Sequence, residues 1–230
     1  MKILIAEKDF SQKAIAFLSK HGKVTDFGSR ATFFKNLPDA EAVITGLEVK
    51  LHKSTLDKAK KLKLIGSRTT QLRYLDLDEC KRRGIKVVNI KADAPALQKT
   101  PSTAEEAMAL ILTLLRRLPW AFESIKRGEW DRKKYGGHEL AEKTIGLIGF
   151  GRLGRMVSKY SRAFDMKVIA TDPYVDSATM KEFGVDKVSL NELLKTADIV
   201  SLHSIYNDET FGMLKFEHFA MMKSEAVFIN

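Results

Sequence analysis

The residues best suited to chemistry form the glycine-rich turn Gly149-Phe150-Gly151-Arg152-Leu153-Gly154. In a dinucleotide-binding turn of this spacing, the first glycine permits a tight bend and the second lets the backbone approach a diphosphate. The third allows the following helix to pack closely on the strand, and N–H groups at the helix start bind the phosphates. A glycine turn without a cofactor is the alternative interpretation. The strand-like segment before this turn and the helical pattern after it favour a dinucleotide.

An acidic residue, Asp172, ends the next strand-like segment, Lys167–Thr171. Its carboxylate is suited to accept hydrogen bonds from the adenosine ribose hydroxyls of a dinucleotide. A 2′-phosphate would meet a like charge there, and the following Pro173 and Tyr174 offer no arginine to receive it. The turn and the acid together predict NAD as the cofactor, in preference to NADP.

His203 follows the strand-like segment Ile199–Leu202, and doubly wound sheets bind ligands at this edge. A histidine there can contact the nicotinamide end of a dinucleotide, or it can be bonded to the neighbouring backbone. The sequence leaves both interpretations open. No metal site is predicted, because the five histidines lack metal-ligand spacing and the only cysteine, Cys80, lies on a helix expected to be exposed.

Short apolar segments separated by helical patterns predict parallel strands joined by helical crossovers. The first series covers residues 3–6, 23–27, 42–45, 62–66 and 86–90, and the second covers residues 144–149, 167–171, 199–202 and 226–229. Between them, residues 91–101 contain two prolines and no periodicity, which indicates a connection. We therefore predict two α/β domains, a smaller flavodoxin-like one over residues 1–98 and a Rossmann-type doubly wound one over residues 99–230.

The longest helical pattern runs from Pro101 to Leu118, with Ser102 expected as the N-cap and Glu105 completing a capping box. The body of this helix is apolar nearly all round, through Ala107, Met108, Ala109, Leu110, Ile111, Leu112, Leu114 and Leu115. A helix without a polar face needs cover on several sides. We expect a partner subunit to supply part of that cover.

The composition argues against several classes of protein. The longest apolar segment, residues 107–115, is about half of the roughly 18 residues that a membrane span needs. The apolar segment near the N-terminus, residues 3–6, is too short for a secretory signal, so a cytoplasmic protein is expected. The net charge is +10, but the densest lysine run, residues 58–63, alternates with leucine and alanine as on a solvated helix face. No nucleic-acid or membrane partner is expected.

The residues also resemble a known family, the D-isomer-specific 2-hydroxyacid dehydrogenases, which include phosphoglycerate dehydrogenases, glyoxylate reductases and formate dehydrogenases. The resemblance covers most of the chain. Besides the glycine turn, it rests on residues 75–77, 81–85, 102–105, 114–117, 127–130, 139–140, 143–148, 197–203 and 226–230.

The resemblance implies two α/β domains, NAD as the hydride carrier, and a homodimer built largely on the helix that begins near Ser102. It assigns cofactor contacts to the glycine turn and to further residues at matching positions. These are Thr103, Arg152, Leu153, Asp172, His203 and Thr210. The sequence departs from the family at two places. Ile205 stands where a proline is usual, and residues 69–74 replace the glycine-rich loop that binds the substrate carboxylate in the family.

The replaced loop reads Thr-Thr-Gln-Leu-Arg-Tyr. Backbone N–H groups of Thr70 and Gln71 remain able to bind the carboxylate of a small 2-hydroxy or 2-keto acid. The loss of the glycines changes the backbone angles that the loop can adopt. The sequence therefore does not identify the acid.

The family's catalytic arginine, glutamate and histidine come after the position of Asn230, together with the last strands of the cofactor sheet and the helix that closes the substrate domain. The resemblance therefore implies a truncated member, with both domains incomplete at the C-terminus and no catalytic residue in this chain. Little or no dehydrogenase activity is expected of it. A non-catalytic NAD-binding recognition module, as in the family's transcriptional corepressors, is the alternative.

Overall fold

The computed structural model describes residues 1–90, 95–131 and 133–230. The chain divides into two compact units, Met1–Ala94 and Pro95–Asn230. The division precedes the boundary expected at residue 98, because the next segment is bonded to the second unit. The Arg152 guanidinium donates to the carbonyl oxygens of Leu97 and Thr100 at 3.0 and 2.9 Å. The predicted connection over residues 91–101 lies partly outside the described residues.

The first unit is built on a five-stranded parallel sheet in the order β2-β1-β3-β4-β5. Its strands are β1 (Lys2–Ile5), β2 (Lys23–Thr25), β3 (Ala42–Thr45), β4 (Leu64–Ser67) and β5 (Lys86–Asn89). This is the flavodoxin-like strand order that the sequence led us to expect. The weak strand candidate at residues 23–27 is present, although it is shorter than expected.

Helices pack apolar side chains against this sheet. The helices of this unit are α1 (Gln12–Ser19), α2 (Arg30–Asn36), α3 (Lys53–Leu56) and α4 (Leu77–Arg82), with a 3-10 turn at Leu37–Asp39. Leu4, Val43 and Ile65 from the central strands are buried with Phe33 of α2 in one core. Cys80 also belongs to this core and is only 1% exposed, so the exposed position expected for it was wrong. The thiol lies on the inward side of α4, and burial raises its pKa.

The second unit contains a five-stranded parallel sheet in the order β10-β9-β6-β7-β8. Its strands are β6 (Thr144–Ile148), β7 (Lys167–Thr171), β8 (Asp186–Lys187), β9 (Ile199–Leu202) and β10 (Val227–Ile229). Counted from β6, this is the Rossmann order, in which the first strand is central and later strands are added on both sides. Strand β8 was missed because two residues show no periodicity.

Helices cover both faces of the second sheet, as a doubly wound fold requires. The helices of this unit are α5 (Pro95–Gln98), α6 (Ser102–Leu115), α7 (Leu118–Lys126), α8 (Arg152–Ala163), α9 (Ser177–Glu182), α10 (Leu190–Thr196) and α11 (Phe216–Ala220). Helices α6 and α8 share a core with Ile145 and Leu147. Ile148 and Val200 point to the opposite face and pack with α10. Neighbouring residues of β6 thus serve different cores, which explains why this strand is apolar throughout.

The single long helix predicted from Ser102 to Leu118 is divided in the structure. Helix α6 ends at Leu115, and Arg117 adopts a left-handed conformation with φ of 52° before α7 begins. Ser102 was wrongly assigned as the N-cap, because the carbonyl oxygen of Pro101 already accepts the first helical hydrogen bonds. Among the described residues, no helix is long and apolar enough to cross a membrane.

Candidate functional site

Three loops meet at the carboxyl edge of the sheet in the second unit. The glycine turn follows β6, and β6 pairs with β7 on one side and β9 on the other. The turn therefore lies between the loops that follow those two strands. The order of the strands reverses at this point, and doubly wound sheets bind ligands in the crevice at such a position.

The three glycines of the turn have different surroundings. Gly149 has φ of +95°, and a Cβ added there would lie 2.6 Å from the backbone nitrogen of Ser204. A Cβ at Gly154 would lie 2.3 Å from the carbonyl oxygen of Gly149. A Cβ at Gly151 would meet no heavy atom within 4 Å. Two glycines thus allow close backbone packing, and the third leaves an open face.

Helix α8 begins directly after Gly151, which is its N-cap residue. The N–H group of Arg155 makes the first helical hydrogen bond, to the carbonyl oxygen of Gly151 at 3.0 Å. The N–H groups of Arg152, Leu153 and Gly154 precede that bond and point out of the helix start. Together with the positive end of the helix dipole, such groups bind anions. The open face of Gly151 and these N–H groups fit a diphosphate.

Two further residues that the resemblance assigned to the cofactor lie in the first turns of α8 and α6. The Arg152 side chain is held by the Leu97 and Thr100 carbonyl oxygens, so it connects the start of α8 to the segment before α6. Thr103 is an exposed residue in the first turn of α6, the helix that packs against α8. The backbone N–H group of Arg152 is therefore the part of this residue available to a ligand at the turn, because its guanidinium already donates to two carbonyl oxygens.

Asp172 follows β7 and is bonded to the glycine turn itself. Its Oδ2 accepts the N–H group of Phe150 at 2.8 Å, and its Oδ1 accepts the N–H group of Tyr174 at 2.8 Å. Each carboxylate oxygen can accept more than one hydrogen bond. The two backbone bonds therefore orient the carboxylate and leave it capacity for ribose hydroxyls.

His203 follows β9, on the opposite side of the turn from Asp172. Its backbone N–H group donates to the carbonyl oxygen of Ile148 at 2.7 Å, and its Nε2 lies 2.9 Å from the buried Oγ of Ser201. The ring is therefore bonded to a neighbouring side chain, a partner that neither sequence interpretation named. Burial lowers the pKa of His203 from 6.5 to about 4, so the ring is neutral near pH 7.

The loop after His203 is closed by a reciprocal pair of bonds. The N–H group of Asn207 donates to Thr210 Oγ1 at 2.9 Å, and the N–H group of Thr210 donates to Asn207 Oδ1 at 3.0 Å. Thr210 Oγ1 also donates to the carbonyl oxygen of Ile205 at 2.5 Å. The hydroxyl of Thr210 thus fixes the shape of this loop. The role of Asn207 was not predicted from the sequence.

The predicted substrate loop lies in the first unit, directly after β4. Thr70 and Gln71 are exposed, and neither has a positive φ, so the residues that replace glycine have ordinary backbone conformations. Thr69 Oγ1 donates to the carbonyl oxygen of Gln71 at 2.6 Å, and Asn89 Nδ2 donates to that of Thr70 at 3.1 Å. The carbonyl groups of the loop are therefore bonded within the unit.

A central first strand, a glycine turn at the reversal of strand order and an acid after the second strand define a dinucleotide-binding Rossmann domain. Two family models match the chain. The catalytic domain of the D-isomer specific 2-hydroxyacid dehydrogenases matches residues 3–107, and the NAD-binding domain of the same family matches residues 108–230. The chain belongs to this family, as the sequence analysis expected.

Curated relatives include the D-3-phosphoglycerate dehydrogenases of Archaeoglobus fulgidus and Methanocaldococcus jannaschii. They are 36% and 35% identical over 233 aligned residues, which cover 100% of this chain and 43% of each relative. The chain thus spans less than half the length of these relatives.

Solved structures with the same fold include the D-lactate dehydrogenase of Aquifex aeolicus complexed with NAD and lactic acid. The TM-score is 0.84 and the identity 31%, over 100% of this chain and 68% of that one. An acyclic imino acid reductase in complex with NADPH and D-Arg has a TM-score of 0.81 and 27% identity, over 100% and 74% of the two chains. The predicted fold class and NAD as the cofactor are confirmed by the family models and the NAD-bound relative, whereas the preference for NAD over NADP stays a prediction.

The glycine turn generates a prediction about two substitutions that look alike in sequence. Gly151→Ala is expected to keep the thermal midpoint, because φ is −76° and the added methyl group meets no atom within 4 Å. The methyl group covers the face that a diphosphate approaches, so the affinity for NADH, measured by fluorescence titration, is expected to fall about tenfold or more. Gly154→Ala is the matched variant and is expected to lower the thermal midpoint, because its Cβ meets the backbone of Gly149. Parent-like NADH affinity in Gly151→Ala would place the diphosphate elsewhere.

The partly buried imidazole of His203 generates a prediction about acid sensitivity. The folded pKa of His203, about 4, lies below the ordinary value of 6.5, so the unfolded chain takes up the proton first as the pH falls. Stability is therefore lost between about pH 6.5 and pH 4, and this histidine accounts for about 2 kcal/mol of loss between pH 7 and pH 5. Urea unfolding at both pH values should show a smaller loss for His203→Gln than for the parent. The exposed His138→Gln is the control, and equal losses in all three proteins would contradict the assignment.

Proposed function

We propose that this chain provides the NAD-binding and substrate-carboxylate-binding parts of an NAD-dependent D-2-hydroxyacid dehydrogenase. The reaction transfers a hydride between NAD(H) and a small 2-hydroxy or 2-keto acid. The observation that carries the proposal is the open face of Gly151 at the start of α8, with the Asp172 carboxylate beside it. Membership of the family and the NAD-bound relative support the same assignment.

Residues on different loops make different contributions to this site. The N–H groups of Arg152 and Leu153 bind the diphosphate, and the Asp172 carboxylate accepts hydrogen bonds from the adenosine ribose. His203 and Thr210 belong to the loop on the other side of the turn and form the opposite wall of the crevice. When bound, the nicotinamide supplies or receives the hydride.

The first unit contributes the carboxylate contact of the substrate. The N–H groups of Thr70 and Gln71, on the exposed loop after β4, bind this carboxylate as backbone donors. Backbone donors recognise the carboxylate that all such acids share. The side chain of the acid must be selected by other residues, so the proposal covers the class of 2-hydroxy acids and not one member.

Turnover requires a proton donor and a group that polarises the substrate carbonyl. His203 is unsuited to donate a proton near pH 7, because burial lowers its pKa to about 4. By the resemblance, the family's catalytic arginine, glutamate and histidine correspond to positions after Asn230. We infer that residues 1–230 bind NADH without catalysing its oxidation.

A turnover assay tests this inference directly. The 230-residue chain is mixed with NADH and, in turn, with glyoxylate, pyruvate and hydroxypyruvate, and NADH absorbance is followed. No rate above the protein-free background is expected, and a measurable rate would refute the inference. Gene sequence after Asn230 then separates a dehydrogenase, which encodes those three residues, from a non-catalytic NAD-binding module, which does not.

The choice of cofactor gives a second test. The parent chain is expected to bind NADH more tightly than NADPH, because the Asp172 carboxylate repels a 2′-phosphate. Asp172→Asn keeps one side-chain oxygen for the Phe150 N–H group, loses the acceptor of the Tyr174 N–H group and removes the charge, so the preference for NADH over NADPH should shrink about tenfold or more. Fluorescence titrations with both nucleotides measure the two dissociation constants. Tighter binding of NADPH by the parent would show that Asp172 is wrongly assigned.

We also propose a homodimer that forms through an apolar surface on α6 and α7. This surface consists of the exposed side chains of Leu110 and Leu114 on α6 and of Leu118, Phe122 and Ile125, which lie on one side of α7. Phe122 is 65% exposed and lines an open apolar cavity of about 520 Å³ with Leu118 and Pro119. Contiguous apolar surfaces of this kind mark interfaces, and a second copy presents the same surface around a twofold axis.

The dimer generates a prediction about mass in solution. Phe122→Asp puts a charge in the centre of the apolar surface on α6 and α7, so the variant is expected to be monomeric at concentrations where the parent is dimeric. Light scattering coupled to size-exclusion chromatography measures the mass. Phe216→Asp, an equally drastic change at an exposed residue of α11, is the control and should stay dimeric. A monomeric parent, or dissociation by both variants, would contradict the assignment.

A further inference from the structure

We propose that Glu209 is a second carboxylate at the adenosine end of the crevice and that it strengthens the discrimination against NADP. The inference rests on the NAD site proposed above and adds to it a residue that determines cofactor specificity. It is carried by one contact, the hydrogen bond that Tyr174 Oη donates to the Glu209 carboxylate.

This hydrogen bond joins the two loops on either side of the glycine turn. Tyr174 belongs to the loop after β7, and Glu209 belongs to the loop after β9. Since β6 lies between those strands, the bond connects the two walls of the crevice into which the turn opens. Tyr174 is 77% exposed, so it is this bond, not packing in a core, that positions the ring.

Both ends of the connection are fixed by other bonds. The Tyr174 N–H group donates to Asp172 Oδ1 at 2.8 Å, so the tyrosine begins at the carboxylate assigned to the ribose. Glu209 lies inside the loop that Asn207 and Thr210 close by their reciprocal hydrogen bonds. Asp172 therefore lies at the backbone end of Tyr174, and the Glu209 carboxylate lies at the hydroxyl end of the same side chain.

The charged groups at this end of the crevice make it negative. The bonded Glu209 carboxylate raises the pKa of Tyr174, and burial and the Asp172 charge raise it further. Lys187, on β8, donates to the carbonyl oxygen of Val175 at 2.6 Å, and Lys181, which is nearer in sequence, pairs with Asp186 at 2.8 Å. The Arg152 guanidinium is held at the Leu97 and Thr100 carbonyl oxygens. The 2′ position of a nucleotide bound in this crevice would therefore face two carboxylates.

The two cofactors differ only at that position. NAD presents a neutral 2′-hydroxyl, whereas NADP presents a phosphate with nearly two negative charges. The Glu209 carboxylate would repel this 2′-phosphate across partly hydrated space. We expect the repulsion to weaken NADPH binding about tenfold. Because Glu209 is exposed, salt should reduce its effect. NADH carries no charge at its 2′ position, so its affinity should not depend on the charge of Glu209.

The test measures dissociation constants for NADH and NADPH in the parent and in Glu209→Gln, at low salt and at about 1 M salt, where the screening length is about 3 Å. Glutamine still accepts the Tyr174 hydrogen bond, so the loops stay joined. At low salt the variant is expected to bind NADPH about tenfold more tightly than the parent does, with NADH affinity unchanged. At high salt this difference should largely disappear. Glu225→Gln removes an exposed carboxylate from the turn before β10 and is expected to change neither constant.

Other results would overturn the inference. If Glu209→Gln weakens NADH and NADPH equally, Glu209 shapes the loop and does not select the cofactor. If the NADPH-to-NADH ratio stays at the parent value in Glu209→Gln but shifts in Asp172→Asn, the Glu209 assignment is wrong and the proposed NAD site stands. If the parent binds neither nucleotide, the proposed NAD site and this inference are both wrong.

Discussion

The crevice of the second unit depends on a close approach of backbone to backbone. A side chain at Gly149 would place its Cβ 2.6 Å from the nitrogen of Ser204, and one at Gly154 would place it 2.3 Å from the oxygen of Gly149. Backbone atoms cannot move aside as the end of a flexible side chain can. The turn therefore lies directly against the loop after β9, and the start of α8 lies directly against the end of β6. The exposure of the helical N–H groups and the bond from the Phe150 N–H group to Asp172 both follow from this packing.

Most of the fold was predictable because a buried parallel strand is apolar on both faces and the connections between such strands are helical. Every strand except β8 could be recognised in this way, and β8 has only two residues. The break between α6 and α7 was missed although the sequence contained a signal for it. Pro119 has no N–H group to continue the hydrogen bonding of α6 and is tolerated only in the first turn of a helix, so α7 begins anew at Leu118, after the left-handed residue Arg117. The apolar composition on both sides of the break concealed that signal.

The elements of the site were easier to predict than the partners of its side chains. The glycine turn and Asp172 are recognised by spacing, because each follows a strand at the same edge of the sheet. The bond between Ser201 and His203 could have been anticipated, since residues two apart on a strand share a face. The Tyr174–Glu209 bond could not, because it joins loops distant in sequence and no periodicity relates them. The same holds for the carbonyl partners of Arg152, which depend on how the segment before α6 is folded.

The proposed site separates affinity from specificity. The N–H groups at the start of α8 recognise the diphosphate, which NAD and NADP share, so they contribute to the binding of both and cannot distinguish them. Discrimination must come from groups near the ribose, where the two cofactors differ. The net charge of +10 does not decide the matter, because charges beyond about 10 Å are screened at ordinary salt concentrations. In the proposed site, carboxylates on the loops after β7 and β9 would therefore determine the local field at the ribose, although the chain as a whole is basic. In this arrangement a basic protein binds the diphosphate through uncharged backbone donors and selects the cofactor through a few acidic side chains.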